Sequence, residues 1–123
     1  MKKKAINALV TIFIILIIGA VLLYVTIGKT PNVTVSAEAA QYIGNHSIVY
    51  VQAGCSHCKE QEDLFGDNWK YINSLDCISS QTNTQICINA NITGTPTWVI
   101  NGTQYIGVQS IQELENLTGY TGK

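Results

Sequence analysis

The chain has 123 residues with seven lysines, no arginine and eight acids. Three of the lysines fall within the first twenty-eight residues, and what remains is long enough for one small domain. That remainder sets four lysines against eight acids, a net of −4, so it lacks the basic surface that phosphate binding needs, which argues against nucleic acid as a partner.

Lys2-Lys3-Lys4 opens the chain and an almost unbroken apolar run follows from Ala5 to Ile27. At about 1.5 Å per residue such a run covers the roughly 30 Å hydrocarbon core of a bilayer. A secretory signal has an apolar region of roughly 7–15 residues ending in small residues, whereas Leu22-Leu23-Tyr24 stands where those would be wanted. Residues 1–28 therefore read as an uncleaved membrane anchor, with a cleaved signal as the alternative. The leading lysines keep the N-terminus cytoplasmic, which makes this a single-pass protein of the cell membrane with everything after Gly28 extracytoplasmic. Residues 29–34 read as a linker and residues 35–123 as the folded domain.

Within the domain, Val35 to Ile43 reads as a helix with Ser36 near its start and Gly44 at its end. Ser47-Ile48-Val49-Tyr50-Val51 is short, β-branched and apolar on both faces, as a buried central strand should be. From Ser56 to about Asn73 the apolar residues Leu64, Phe65, Trp69 and Ile72 recur at helical intervals, behind the early acids Glu60, Glu62 and Asp63. Leu75-Asp76-Cys77 is a candidate short strand, and a polar loop leads to a helical turn from about Thr84 to Ala90. Thr97–Ile100 and Gln104–Gly107 flank Asn101-Gly102, a two-residue hairpin signal. Ser110-Ile111-Gln112-Glu113 is a capping box opening a last helix through Leu114 and Leu117 that stops near Gly119. Trp69 and Trp98 are expected to serve the core.

The chemistry concentrates in Gly54-Cys55-Ser56-His57-Cys58-Lys59 and, some forty residues later, Gly94-Thr95-Pro96-Thr97. A Cys-x-x-Cys pair opening a helix places its first sulfur over unpaired backbone N–H groups and the positive end of the helix dipole, which favours the thiolate. Cys55 is thus the attacking sulfur, and Cys58, one turn in and better shielded, resolves the mixed disulfide. His57 lies between them, where an imidazolium would stabilise the Cys55 thiolate and make the disulfide more oxidising. Pro96 is expected to be cis, leaving the Thr95 backbone free to pair with an extended substrate. Cys77 and Cys87 form a second pair around a polar loop, either a stabilising crosslink or a redox relay. Four cysteines, and Asn-x-Ser/Thr sequons at Asn32, Asn45, Asn91, Asn101 and Asn116, suit an oxidising outer compartment. A zinc or copper site built from Cys55, His57, Cys58 and a remote cysteine is disfavoured, because adjacent His57 and Cys58 converge poorly on one ion.

The order of helix, strand with Cys-x-x-Cys, helix, strand, helix, hairpin and helix describes an α/β, thioredoxin-like fold, a central mixed sheet with flanking helices, behind the N-terminal transmembrane helix. Three blocks sharpen this: Cys55-Ser56-His57-Cys58-Lys59 with Leu64-Phe65-Gly66, the pair Cys77 and Cys87, and Gly94 to Gly102 continuing through Tyr105, Gly107 and Ser110. On them, Val49 to Tyr120 resembles the thioredoxin-like partner domain that accompanies vitamin K epoxide reductase homologues in bacteria and archaea. Members of that family usually carry proline where Ser56 stands and an aromatic residue where Gly54 stands. Reducing thioredoxins carry a buried carboxylate where Val49 stands. The resemblance implies a disulfide donor to exported protein thiols, re-oxidised by a membrane quinone reductase similar to vitamin K epoxide reductase, with no cofactor in the domain itself. The alternatives are reverse electron flow, as a reductase or isomerase, and a metal-binding or structural extracellular module.

Overall fold

The computed structural model describes residues 2–27 and 35–122. The 29–34 linker and the Asn32 sequon lie outside the described residues. Two compact units divide between residues 33 and 34. The first is the single helix α1, Lys2–Ile27, which within Lys2–Tyr24 holds an 18-residue window of mean hydropathy 2.9 and is long and apolar enough to cross a membrane.

The second unit is a mixed α/β domain. Helix α2 spans Ala37–His46, and the hydroxyl of its N-cap Ser36 accepts the Ala39 N–H at 3.1 Å. Gly44 does not end this helix. It lies inside, where a Cβ would collide with the Tyr71 carbonyl oxygen, so this glycine serves close packing rather than termination. Strand β1, Ser47–Val51, leads to helix α3, Ser56–Phe65. The sequence expectation of one helix to about Asn73 fails at Gly66, which adopts φ +54° and ψ −133° and donates its N–H to Glu62 O. A 3₁₀ segment, Gly66–Tyr71, follows in a new direction and sets Trp69 edge-on to Phe65 and Trp98 at centroid distances of 5.6 and 6.4 Å.

Strand β2 is Ser74–Asp76, one residue earlier than the pattern suggested. Helix α4, Gln81–Asn89, begins three residues before the expected Thr84, because Ser80 caps it by accepting the Asn83 N–H at 3.1 Å. Strands β3, Thr97–Ile100, and β4, Thr103–Ile106, form the expected hairpin, with Asn101 and Gly102 at φ +51° and +79°. Helix α5, Ile111–Thr118, is capped by Ser110 and closed by Gly119 in the left-handed region.

The sheet order is β2-β1-β3-β4, with β1 parallel to β2 and antiparallel pairing elsewhere. Alternation along β1 divides the core between two faces. Val49 packs with Ala40, Ile43, Phe65, Trp98 and Leu114 under α2, α3 and α5. Tyr50 packs with Cys77 and Cys87 on the α4 side. Covering both faces explains why β1 is apolar throughout, and it leaves the C-terminal end of β1 free to deliver the cysteine loop.

Candidate active site

Val51 ends β1, and the next four residues turn the chain into α3. The Cys55 N–H returns to Gln52 O at 3.2 Å, and Gly54 sits at φ +79°, a backbone that favours glycine and accounts for its presence beside the cysteine. Cys55 is the N-cap of α3, with extended φ −82° and ψ 117°. Its sulfur takes the part a capping oxygen usually plays, accepting the Cys58 N–H at 3.2 Å. Cys55 and Cys58 form a disulfide with Cα atoms 5.2 Å apart. Cys55 is half-buried while Cys58 is only 7 % exposed, a difference that gives an incoming thiolate access to the first sulfur.

Forty residues on, the Thr95–Pro96 peptide is cis. Thr95 faces Cys55: its hydroxyl donates to Cys55 Sγ at 3.5 Å, and its carbonyl oxygen also lies 3.5 Å from that sulfur. Among the described residues the Thr95 amide makes no backbone hydrogen bond. Thr97 steadies the turn by donating its hydroxyl to Gly94 O at 2.7 Å, and Thr97 pairs with Tyr50 in β1, which holds the Thr95 loop against the cysteine loop. When the pair is reduced, two donors therefore converge on the Cys55 sulfur, the Cys58 N–H and the Thr95 hydroxyl, and both favour its charged form.

His57 is exposed on the first turn of α3 and makes no hydrogen bond or ion pair with either sulfur among the described residues. Its influence on Cys55 is limited to action through space. Lys59 pairs with Asp63 at 2.8 Å and with Glu62 at 3.6 Å, and the hydrogen bond to Asp63 holds its ammonium above the usual lysine pKa. Val49 is fully buried in the main core. Cys77 and Cys87 are joined as a disulfide, Cα atoms 5.8 Å apart, tying the end of β2 to α4. No group of three or more His, Cys, Asp or Glu side chains able to hold a metal occurs among the described residues.

Sequence reasoning passed over Gln61, a polar residue with no exposed surface. Its Oε1 accepts the Trp98 indole N–H at 2.9 Å and the Gln109 N–H at 2.7 Å, and its Nε2 donates to Gln109 O at 3.0 Å. These bonds fasten α3, one turn beyond Cys58, to β3 and to the loop after β4. The available signal was a glutamine on the apolar side of an amphipathic helix, three residues after Cys58.

Two open cavities flank the pair. One of about 250 Å³ is lined by Gly54, Cys55, Cys58, Lys59, Glu62 and Asp76, among others. The other, of about 240 Å³, lies between Thr95 and the Cys77–Cys87 disulfide and includes Ile88 and Ile92.

No family model matches the chain. Over 73 aligned residues, covering 54% of its length, the chain is 37% identical to the thiol-disulfide oxidoreductase LTO1 of Arabidopsis thaliana. That stretch is 19% of LTO1, so the chain spans about a fifth of this relative's length.

Proposed function

We propose that the domain has a thioredoxin-like fold and that the chain is a thiol-disulfide oxidoreductase. The observation that carries this is the Cys55–Cys58 disulfide at the start of α3, with Thr95 of the cis Thr95–Pro96 pair against the first sulfur. The likeness to LTO1 supports the same chemistry. In each cycle a substrate thiolate attacks Cys55 Sγ, Cys58 leaves as thiolate, and a second substrate thiol displaces Cys55, so the substrate leaves oxidised by two electrons and the pair reduced. The free Thr95 amide and its carbonyl offer backbone pairing to an extended substrate segment, a mode of binding that does not depend on side-chain identity.

The direction we favour is disulfide donation to exported protein thiols. Its support is the donor set around Cys55, because stabilising the reduced thiolate makes the disulfide a stronger oxidant, and His57 adds to this when charged. With α1 as a single-pass anchor and Lys2 to Lys4 on the cytoplasmic side, the domain works extracytoplasmically. The domain is re-oxidised by a membrane quinone reductase similar to vitamin K epoxide reductase, which supplies the electron acceptor. The test is a redox titration of the full chain in detergent against glutathione, with the Cys55–Cys58 peptide followed by mass spectrometry. A potential between about −120 and −200 mV supports an oxidant, whereas one near −270 mV reverses the arrow and identifies a reductase.

A further inference from the structure

Thiol-disulfide exchange needs a proton acceptor for the resolving thiol, and the carboxylates that line the cavity beside Cys55 and Cys58 are Glu62 and Asp76. We propose that Asp76 is that acceptor; this rests on the exchange chemistry proposed above. Asp76 is the last residue of β2 and pairs in register with Val51, the last residue of β1, which places it at the end of the sheet from which the cysteine loop departs. It lines the same 250 Å³ cavity as Cys55 and Cys58, and a cavity of that volume admits several waters.

Its position is fixed from several sides. The Oδ1 atom accepts the Ile78 N–H at 3.0 Å, and its carbonyl accepts the Ser79 hydroxyl at 2.9 Å and the Asn83 amide at 3.1 Å. The charged groups across the cavity are Lys59 and Glu62 of α3, and Lys59 is occupied by Glu62 and Asp63. Among the described residues no cation lies within ion-pair distance of Asp76. Glu62, the other carboxylate lining the cavity, is bound to Lys59 and so is the weaker base candidate. Asp76 is thus a half-buried carboxylate, held in place, without a counter-ion among the described residues, and lining the same cavity as both cysteines.

In the resolving step the proton of Cys58 Sγ crosses a water in the cavity to Asp76. The resulting thiolate attacks Cys55 Sγ of the mixed disulfide. The Cys58–Cys55 bond forms as the bond from Cys55 to the substrate sulfur breaks, and the substrate leaves as thiolate. In the donating direction the same path runs backwards: Cys58 leaves as thiolate and takes its proton from solvent through the cavity that Asp76 lines. Asp76 touches neither sulfur in this scheme and acts through water.

The test uses the full chain in detergent, reduced and then mixed with oxidised glutathione, with acid quenching at intervals from pH 5 to 9. The glutathione adduct on the Cys55 peptide is counted by mass spectrometry. Asp76→Asn keeps the oxygen that accepts the Ile78 N–H and removes the base. It is expected to leave adduct formation unchanged but slow adduct decay about tenfold near pH 7. The deficit should fade towards pH 9, where a free thiol ionises unaided. Asp76→Glu, which retains a carboxylate, should restore the pH profile. Decay in Asp76→Asn equal to the parent, a deficit of the same size at every pH, or an equal loss in Asp76→Glu would each overturn the relay while leaving the exchange reading intact. Failure of the parent chain to form any adduct at Cys55 would remove the exchange chemistry, and the relay with it.

Discussion

At the scale of single residues, the Cys55 sulfur is controlled by two hydrogen-bond donors, and only one of them was visible in advance. The Cys58 N–H follows from placing a cysteine at a helix N-cap, which the Cys-x-x-Cys spacing announces. The Thr95 hydroxyl comes from forty residues away and becomes a donor to Cys55 only because β3 pairs with β1 in the register that sets Thr97 beside Tyr50. Thr95→Val keeps shape and removes the hydroxyl. The pH midpoint of Cys55 alkylation in the reduced chain is expected to rise by about one unit, equivalent to about 1.4 kcal/mol. His57→Ala should move that midpoint less at physiological salt, since an exposed charge acting through space is screened. Gln61→Leu is expected to cost about 2–4 kcal/mol in a urea titration, because it leaves the buried Trp98 indole and the Gln109 amide without an acceptor.

At the scale of elements, termini were legible where a local signal was sufficient. Ser36, Ser80 and Ser110 each accept the N–H three residues on, yet Ser80 went unread because a polar run hid it. Ser80→Ala should loosen the start of α4 at about 1 kcal/mol, seen as a lower urea midpoint. The two errors of extent share a cause. Gly44 looked like a stop signal and is a packing contact, while Gly66 looked like part of a helix and is its end. A glycine's role depends on what approaches it and on the φ its neighbours impose, and neither is written in helical periodicity. Gly44→Ala would force its Cβ into the Tyr71 carbonyl, so a loss of about 1–3 kcal/mol is expected by the same titration.

At the scale of the whole molecule, the Cys77–Cys87 crosslink joins β2 to α4 and forms the centre of the smaller core cluster with Tyr50. Replacing both cysteines by serine is expected to lower stability by about 2–3 kcal/mol, the cost of opening a loop of sequence separation 10, measured by thermal unfolding with Cys55 and Cys58 intact. Loss of exchange activity without loss of stability would instead assign this pair to the redox relay.

The sequence by itself determined the membrane-length helix, the strand apolar on both faces, the Asn-Gly hairpin and the Cys-x-x-Cys pair that opens α3. Each of these is carried by short-range pattern, since hydrophobic run length, side-chain alternation and turn chemistry act between near neighbours. Tertiary structure alone decided that Thr95 touches Cys55, that Gln61 joins three elements, and that Asp76 shares a cavity with both cysteines. Those contacts depend on strand register, the distance-setting quantity that periodicity leaves open, because a slip of one residue in the β1–β2 or β1–β3 pairing would turn Asp76, or the Trp98 that Gln61 binds, to the opposite face and shift the Thr95 loop along β1.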